Sequence, residues 1–485
     1  MVQFTYDNEP DPSTFLEANY TRMAEMAKYY DQRFETYHIP LNMSTDTVFT
    51  NENCTEVSYY AYSDNTGQWT GLAITGFIYK YLTGIKENNS TLKDDALRVI
   101  RKLVHGMSMQ LAVPNGGLGP DYGAILARGW ANPENKDIAD FYFQDTNENN
   151  DDKYSQHHNG TGVYSNWRWR GYTSNDEYSA FYAALAMLLK YIQEDDVQQL
   201  VKLMIDQVAS YMLDNNFLGM DWHGGPTGVE QKARFGQMGM WVSLILKMAA
   251  ISFPEKYERL YYHYVGEELY ALWANEGGDQ ESVSNYYAFA FGYHVAFALL
   301  QLEDQPGRLR NMFLDKYQQS LRSYTEYHRN PFYDIIELIS IYEPGENTLL
   351  ERGVEDQLMR YDCVYHFPDR ALGCANVSED PSYQKVEYFE ELFAYFNEDT
   401  LGNWVGIAFP EVEMDTFYYN KPQTVEYLQG NIFIWEKNPF RPSRVYYNPK
   451  YEYASFSFSM IYWMGRATGF FESMGMRNYI EGEGD

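Results

Sequence analysis

The chain has 485 residues, 45% hydrophobic and 17% aromatic, enough to bury a large core and too apolar for disorder through its bulk. Its 37 basic against 68 acidic residues, a formal charge of −31, exclude the cationic surplus that a nucleic-acid backbone needs and disfavour polyanionic glycans outside a local basic groove. No run approaches the roughly 18 apolar residues of a membrane span.

In chain order, MVQFTYDNEP lacks the basic start and apolar centre of a signal peptide. That leaves a cytosolic protein or a mature exported one. Asn-x-Ser/Thr at Asn42, Asn53, Asn88, Asn89, Asn159 and Asn376 tips the expectation toward the cell exterior or surface, with the cytoplasm as the alternative. YSDNTGQWTG (62–71) then sets an aromatic, a Ser, an Asp and an Asn at the foot of WTGLAITGFIYKYL (69–82), which is apolar nearly all round. The arrangement returns at YTSNDEYSAF (172–181), which leads into a second such run at 177–192; others follow at 236–251 and 285–300.

Between these runs lie striped segments. Residues 92–104 align Leu97, Ile100 and Val104; 195–212 align Val197, Leu200, Val201, Met204, Val208 and Met212; 306–317 align Leu309, Met312, Phe313 and Tyr317. A helix apolar on every side is buried on every side, whereas a striped helix covers something. The alternation predicts an all-α fold, an α/α toroid of helical hairpins in preference to a generic bundle or solenoid, closed by the apolar run 453–471. Long polar connections at 38–65, 113–172, 215–234 and 362–452 read as lids or binding walls. The last has room for short strands, for example at 424–435. No Pro/Ser-rich linker interrupts the chain, so residues 1–485 are expected to form one domain.

Parallel inner helices would gather their feet at one mouth. Glycosidic cleavage commonly uses two carboxylates across the bond. Asp64 and Asp176 are the first pair, with Glu177 beside the second. The competing role for each is an N-cap or a first-turn acid opposing the helix dipole. DNNFLGMDWHGGPTG (214–228) offers Asp221, Trp222 and His223, an acid, a stacking face and an imidazole on one Gly-rich turn. Asn65 and Trp69 at the first foot, Arg128 and Trp130 in LARGWANP, and Trp167, Arg168, Trp169 and Arg170 in SNWRWRGY resemble sugar subsites. Trp faces stack on sugar rings and Arg forks bind carboxylates, although the arginines could equally be partners for the surplus acids. His294, with Asn285, Tyr286 and Tyr287 nearby, invites a lyase or epimerase reading against that of a hydrogen-bonded core histidine.

Asp145, Asn147, Asn149 and Asp151 alternate as calcium-loop ligands do, but Asn150 replaces the usual Gly and Gln156 the closing acid. A solvated loop is the stronger reading there, calcium the alternative, and no other cofactor is expected. Cys363 and Cys374 bracket a short loop and are either a disulfide pair or buried thiols. Zinc-type Cys/His spacing, a P-loop and a Gly-x-Ser-x-Gly elbow are all missing from the sequence.

Five stretches, SDNTGQWTG (63–71), RWRGYTSNDEYSAF (168–181), DNNFLGMDWHGGPTG (214–228), FIWEKNPF (433–440) and YWMGRATGF (462–470), together resemble a family of bacterial and archaeal proteins of uncharacterised activity with a six-hairpin glycosidase-like, α/α-toroid fold. The resemblance implies the toroid and points toward carbohydrate, since the wider superfamily holds glycoside hydrolases, lyases and epimerases. It carries no residue assignment. The expectation is a glycoside hydrolase acting on an oligosaccharide or polysaccharide through paired carboxylates. Its rivals are a polysaccharide lyase with a Tyr or His base, and a non-catalytic glycan-binding surface protein.

Overall fold

Helices apolar on all sides and helices with one apolar stripe are distinct sets in the structure, a computed structural model. It describes residues 9–61, 65–135, 157–171, 173–220, 224–231, 238–271, 286–361, 385–387, 417–419, 421–428, 433–440, 450–454 and 456–476. The described chain is mostly helical with a few short strands. Among the described residues no helix is long and apolar enough to cross a membrane.

The first set comprises α2 (Thr66–Lys86), α4 (Asn175–Tyr191), α6 (Met238–Ser252), α8 (Tyr287–Leu302), α10 (Pro331–Ile341) and α12 (Phe456–Thr468). Almost every side chain of α2, α4 and α8 is buried. The second set comprises α1 (Tyr20–Tyr37), α3 (Ser90–Asn115), α5 (Asp195–Asp214), α7 (Pro254–Tyr261), α9 (Arg308–Tyr317) and α11 (Thr348–Met359). Contacts within the first set run from α2 to α4, α4 to α6 and α8, α8 to α10, α10 to α12, and α12 back to α2. Each helix of the second set lies against one of the first, α3 on α2, α5 on α4, α7 on α6, α9 on α8, α11 on α10 and α1 on α12. One apolar cluster runs through all of them, from Ala18 to Phe471.

Within the first set, α2 and α12 end side by side, as do α4 and α8. Lys86 near the end of α2 donates to the carbonyls of Arg466 (3.3 Å) and Ala467 (3.2 Å) at the end of α12. Lys190 near the end of α4 likewise donates to the carbonyl of Gln301 near the end of α8. The N-terminal ends of α2, α8, α10 and α12 lie against the 3-10 turn Ile434–Glu436. The Ile434 N–H donates to Ser457 Oγ of α12 (3.4 Å) and Trp435 Nε1 to the Ser457 carbonyl (3.0 Å). Asn330, which precedes α10, donates to the Trp435 carbonyl (2.7 Å) and to the hydroxyl of Tyr286, which precedes α8 (3.4 Å).

In the stretch 424–435 the described residues, 424–428 and 433–435, form no strand. Turns at Val425–Tyr427 and Ile434–Glu436 stand there, because their backbone donors bond to helix side chains, Gln357 Oε1 (2.9 Å) and Ser457 Oγ, in place of a neighbouring strand. The strands that do form include the antiparallel set β1 (Gly129–Ala131), β2 (His157–Asn159) and β3 (Arg168–Arg170), with β3 in the middle and Trp130 opposite Trp169. This sheet is tied to α3, since Gln110 Nε2 donates to the Ala127 carbonyl at 3.0 Å.

Close helix approach explains the glycines in the apolar runs. A Cβ on Gly71 would lie 2.3 Å from the Ala180 carbonyl oxygen, where backbone meets backbone. Gly71→Ala should therefore lower stability by about 2–3 kcal/mol through a forced shift of α2 against α4. Gly353→Ala in α11, whose nearest atom is Phe15 Cε2 at 4.0 Å, should gain about 0.5–1 kcal/mol from helix propensity. Urea unfolding of both variants checks the contrast.

Candidate functional site

Helix capping is the ordinary use of Asn, Ser and Asp at a helix start, and Asn19, Asn89 and Asn347 do serve α1, α3 and α11 this way, accepting from the N–H three residues on. The residues before α2 and α4 do not. Neither Asn65 nor Ser174 makes a side-chain cap bond. Asn65 reaches across instead. Its Nδ2 donates to Asp176 Oδ2 at 3.4 Å, and its Oδ1 accepts from Arg128 at 3.2 Å.

Glu177, fully buried in the first turn of α4, faces the Gly67 and Gln68 N–H groups of α2 without closing a well-formed bond to either. The approach requires Gly67, where a Cβ would sit 2.2 Å from Glu177 Oε2. Gln68, also fully buried, turns from its own helix and donates through Nε2 to Glu436 Oε1 at 2.5 Å. Three carboxyls, Asp176, Glu177 and Glu436, thus meet around one helix start.

Their surroundings set their charge. Burial raises Glu177 to about 8, helped by the Asp176 charge and opposed by Arg128 and by the α2 N–H groups. Glu436 is raised well above the usual carboxylate range by burial and then by Asp176, with Lys437 and Gln68 pulling the other way. Asp176, half-buried, is also raised by burial, while Arg128 and Asn65 favour its ionised form. Burial draws Arg170 down to about 9 as Glu177 pushes back, and lowers Lys437 against the attraction of Glu436. The site therefore sets two acids that burial biases toward their protonated forms beside an Asp that has a cation and an amide next to it.

Of the residues expected at a mouth, Asn65, Arg128, Arg170, Asp176 and Glu177 come together here. Tyr287 opens α8 with 46% of its surface exposed. Trp69, Trp130 and Trp169 are buried, which corrects their reading as sugar platforms. Trp130 and Trp169 donate their indole N–H groups to the carbonyls of Gly106 (3.0 Å) and Asn159 (2.9 Å). Trp167 stacks on Trp130 with centroids 5.4 Å apart, so these rings pack the small sheet onto α3. His294 is a core histidine, held to about 3 by burial, with Nδ1 3.2 Å from Ser179 Oγ and its ring beside Phe332 and Phe433.

Asp64, Asp221, Trp222, His223, Asp145, Asn147, Asn149, Asp151, Cys363 and Cys374 lie outside the described residues. Among the described residues no group of three or more His, Cys, Asp or Glu is gathered for a metal. Gln68 and Glu436 escaped sequence reasoning. The available signal for Gln68 was Asn-x-x-Gln at 65–68, a capping-box pattern.

A carboxyl raised on folding binds its proton more tightly in the native state, so Glu177 contributes stability below its ordinary 4.5 that is lost as pH rises through about 8. Glu177→Gln should remove about 2–4 kcal/mol of the stability decline between pH 5 and pH 8.5 in urea unfolding. A residual slope should remain from Asp46, which burial raises to about 7. Comparison with known proteins adds no kinship to this geometry: no protein-family model, no curated protein and no solved structure matches the chain.

Proposed function

We propose that the chain is a carbohydrate-active hydrolase built on an α/α toroid, cleaving a glycosidic bond with Glu436 as general acid and Asp176 as base or nucleophile. The observation that carries this reading is the convergence of Asp176 and Glu436 where the helix N-terminal ends meet, one carboxyl keeping its proton and the other flanked by Arg128 and Asn65. Glycosidic cleavage needs that division, a protonated acid on the leaving oxygen and an ionised partner on the other side of the ring. Glu177 suits the acid role less, being sealed against Gly67 with no exposed surface. The toroid is supported by the circuit of contacts through α2, α4, α8, α10 and α12 and by the side-by-side ends of α2 with α12 and of α4 with α8.

The lyase alternative asks for a Tyr or His base next to an Arg at the mouth, and His294 is withdrawn beneath Phe332 and Phe433. The partner in the hydrolase reading is an oligosaccharide or polysaccharide, with Tyr287 as a stacking face. A cell-exterior location belongs to the same proposal and rests on the sequons.

A panel of neutral and acidic glycans, assayed for new reducing ends and for unsaturated-uronide absorbance, tests this reading. Asp176→Asn and Glu436→Gln should each lower kcat by about 10²–10⁴-fold with the fold retained. Full activity in either variant overturns the assignment. Binding without turnover in the wild type would make the chain a glycan-binding module.

A further inference from the structure

The sequence Asn65-Thr66-Gly67-Gln68 has the form of a capping box, in which the first side chain bonds the N–H of the fourth residue and the fourth returns to the N–H of the first. Neither bond is made. Asn65 has no side-chain cap bond, and the carboxamides of Asn65 and Gln68 donate instead to Asp176 Oδ2 and Glu436 Oε1. Glu177 stands against the same turn, its carboxyl facing the N–H groups of Gly67 and Gln68 that a local cap would have served, with no hydrogen bond closed to either. Residues three apart on a helix share a face, so one turn of backbone sets the separation of the two donors.

We propose that the first turn of α2 is a carboxyl clamp, with Asn65 and Gln68 as positioning residues that fix the spacing and rotation of Asp176 and Glu436. An amide N–H can only donate, so Gln68 claims Glu436 Oε1 as an acceptor and leaves the proton of the neutral acid on Oε2. Asn65 holds one oxygen of Asp176 and joins it to Arg128. An uncharged amide performs this without titrating, which a lysine in the same place would not. The groups acting on the pair from the surrounding elements are Arg128 and Glu177 on Asp176's side and Lys437 beside Glu436. The clamp gains its catalytic meaning from the hydrolase reading, but its geometry can be tested apart from it.

The test is infrared difference spectroscopy of the carboxylic C=O stretch on the full chain. The Glu436 band is identified by its loss in Glu436→Gln and followed with pH. Gln68→Leu should shift that band and move the Glu436 titration upward, because a donor that favours the ionised form is gone. Asn65→Ala should move the Asp176 titration upward in the same way. If Gln68→Leu does not fold, Gln68→Asn, one methylene short of Glu436, is read identically. On any glycan the protein cleaves, Gln68→Leu should lower kcat by about 10–100-fold with little change in KM, and carry the alkaline limb of the pH profile to higher pH.

An unchanged Glu436 band in Gln68→Leu overturns the clamp whatever the activity. A shifted band together with full hydrolysis by Glu436→Gln keeps the clamp and overturns the hydrolase assignment. Loss of thermal stability with band and pH limb unmoved would make Gln68 merely structural and also overturns it.

Discussion

The contact on which the site depends is the buried carboxyl of Glu177 against the opening turn of α2. A helix start exposes N–H groups that must find acceptors, and most helices supply them from their own cap residue. Here a carboxyl of the neighbouring helix faces those N–H groups without closing a hydrogen bond to them, an approach that Gly67 permits by having no Cβ. The result brings α2 against α4 at the end where α8, α10 and α12 also begin. The side chains of Asn65, just before α2, and Gln68, within it, are turned outward to Asp176 and Glu436.

Charge at the site is therefore a local matter, separate from the −31 of the whole chain. Converging helix starts place partial positive charge at one end of the fold, and Arg128, Arg170 and Lys437 add full charges there. Against them stand Asp176 and two acids whose ionisation burial disfavours. An acidic protein can in this way hold a site in which a single carboxylate is the natural anion. Some of the acids elsewhere are engaged in ion pairs, such as Asp356 between Arg329 and Arg360.

The helices were legible because all-round apolarity is itself a statement about burial. The runs at 69–82, 177–192, 236–251 and 285–300 fall on α2, α4, α6 and α8 within a few residues. The stripes at 92–104, 195–212 and 306–317 fall on α3, α5 and α9. Helices α1, α7, α10 and α11 carry mixed faces or short spans and drew no such reading. At the site, acids in a helix foot were visible as Asp176 and Glu177. Glu436 was not, since nothing within FIWEKNPF marks its Glu as buried, and only the arrival of Gln68 makes it so. The tryptophans misled for a related reason. Alternation of Trp and Arg through 167–170 is the period-two signature of a strand, and the indoles of Trp130 and Trp169 face each other across that strand pair, where their rings fill space under the sheet.

The bond between Gln68 and Glu436 joins positions 368 residues apart. Contacts of such separation close late, after the loop entropy of the intervening chain has been offset by packing in between. A growing polypeptide would carry the α2 turn and Asp176 long before the segment bearing Glu436 exists. The pairing of Gln68 with Glu436 is thus absent through most of synthesis and forms only when these distant segments of the fold have docked.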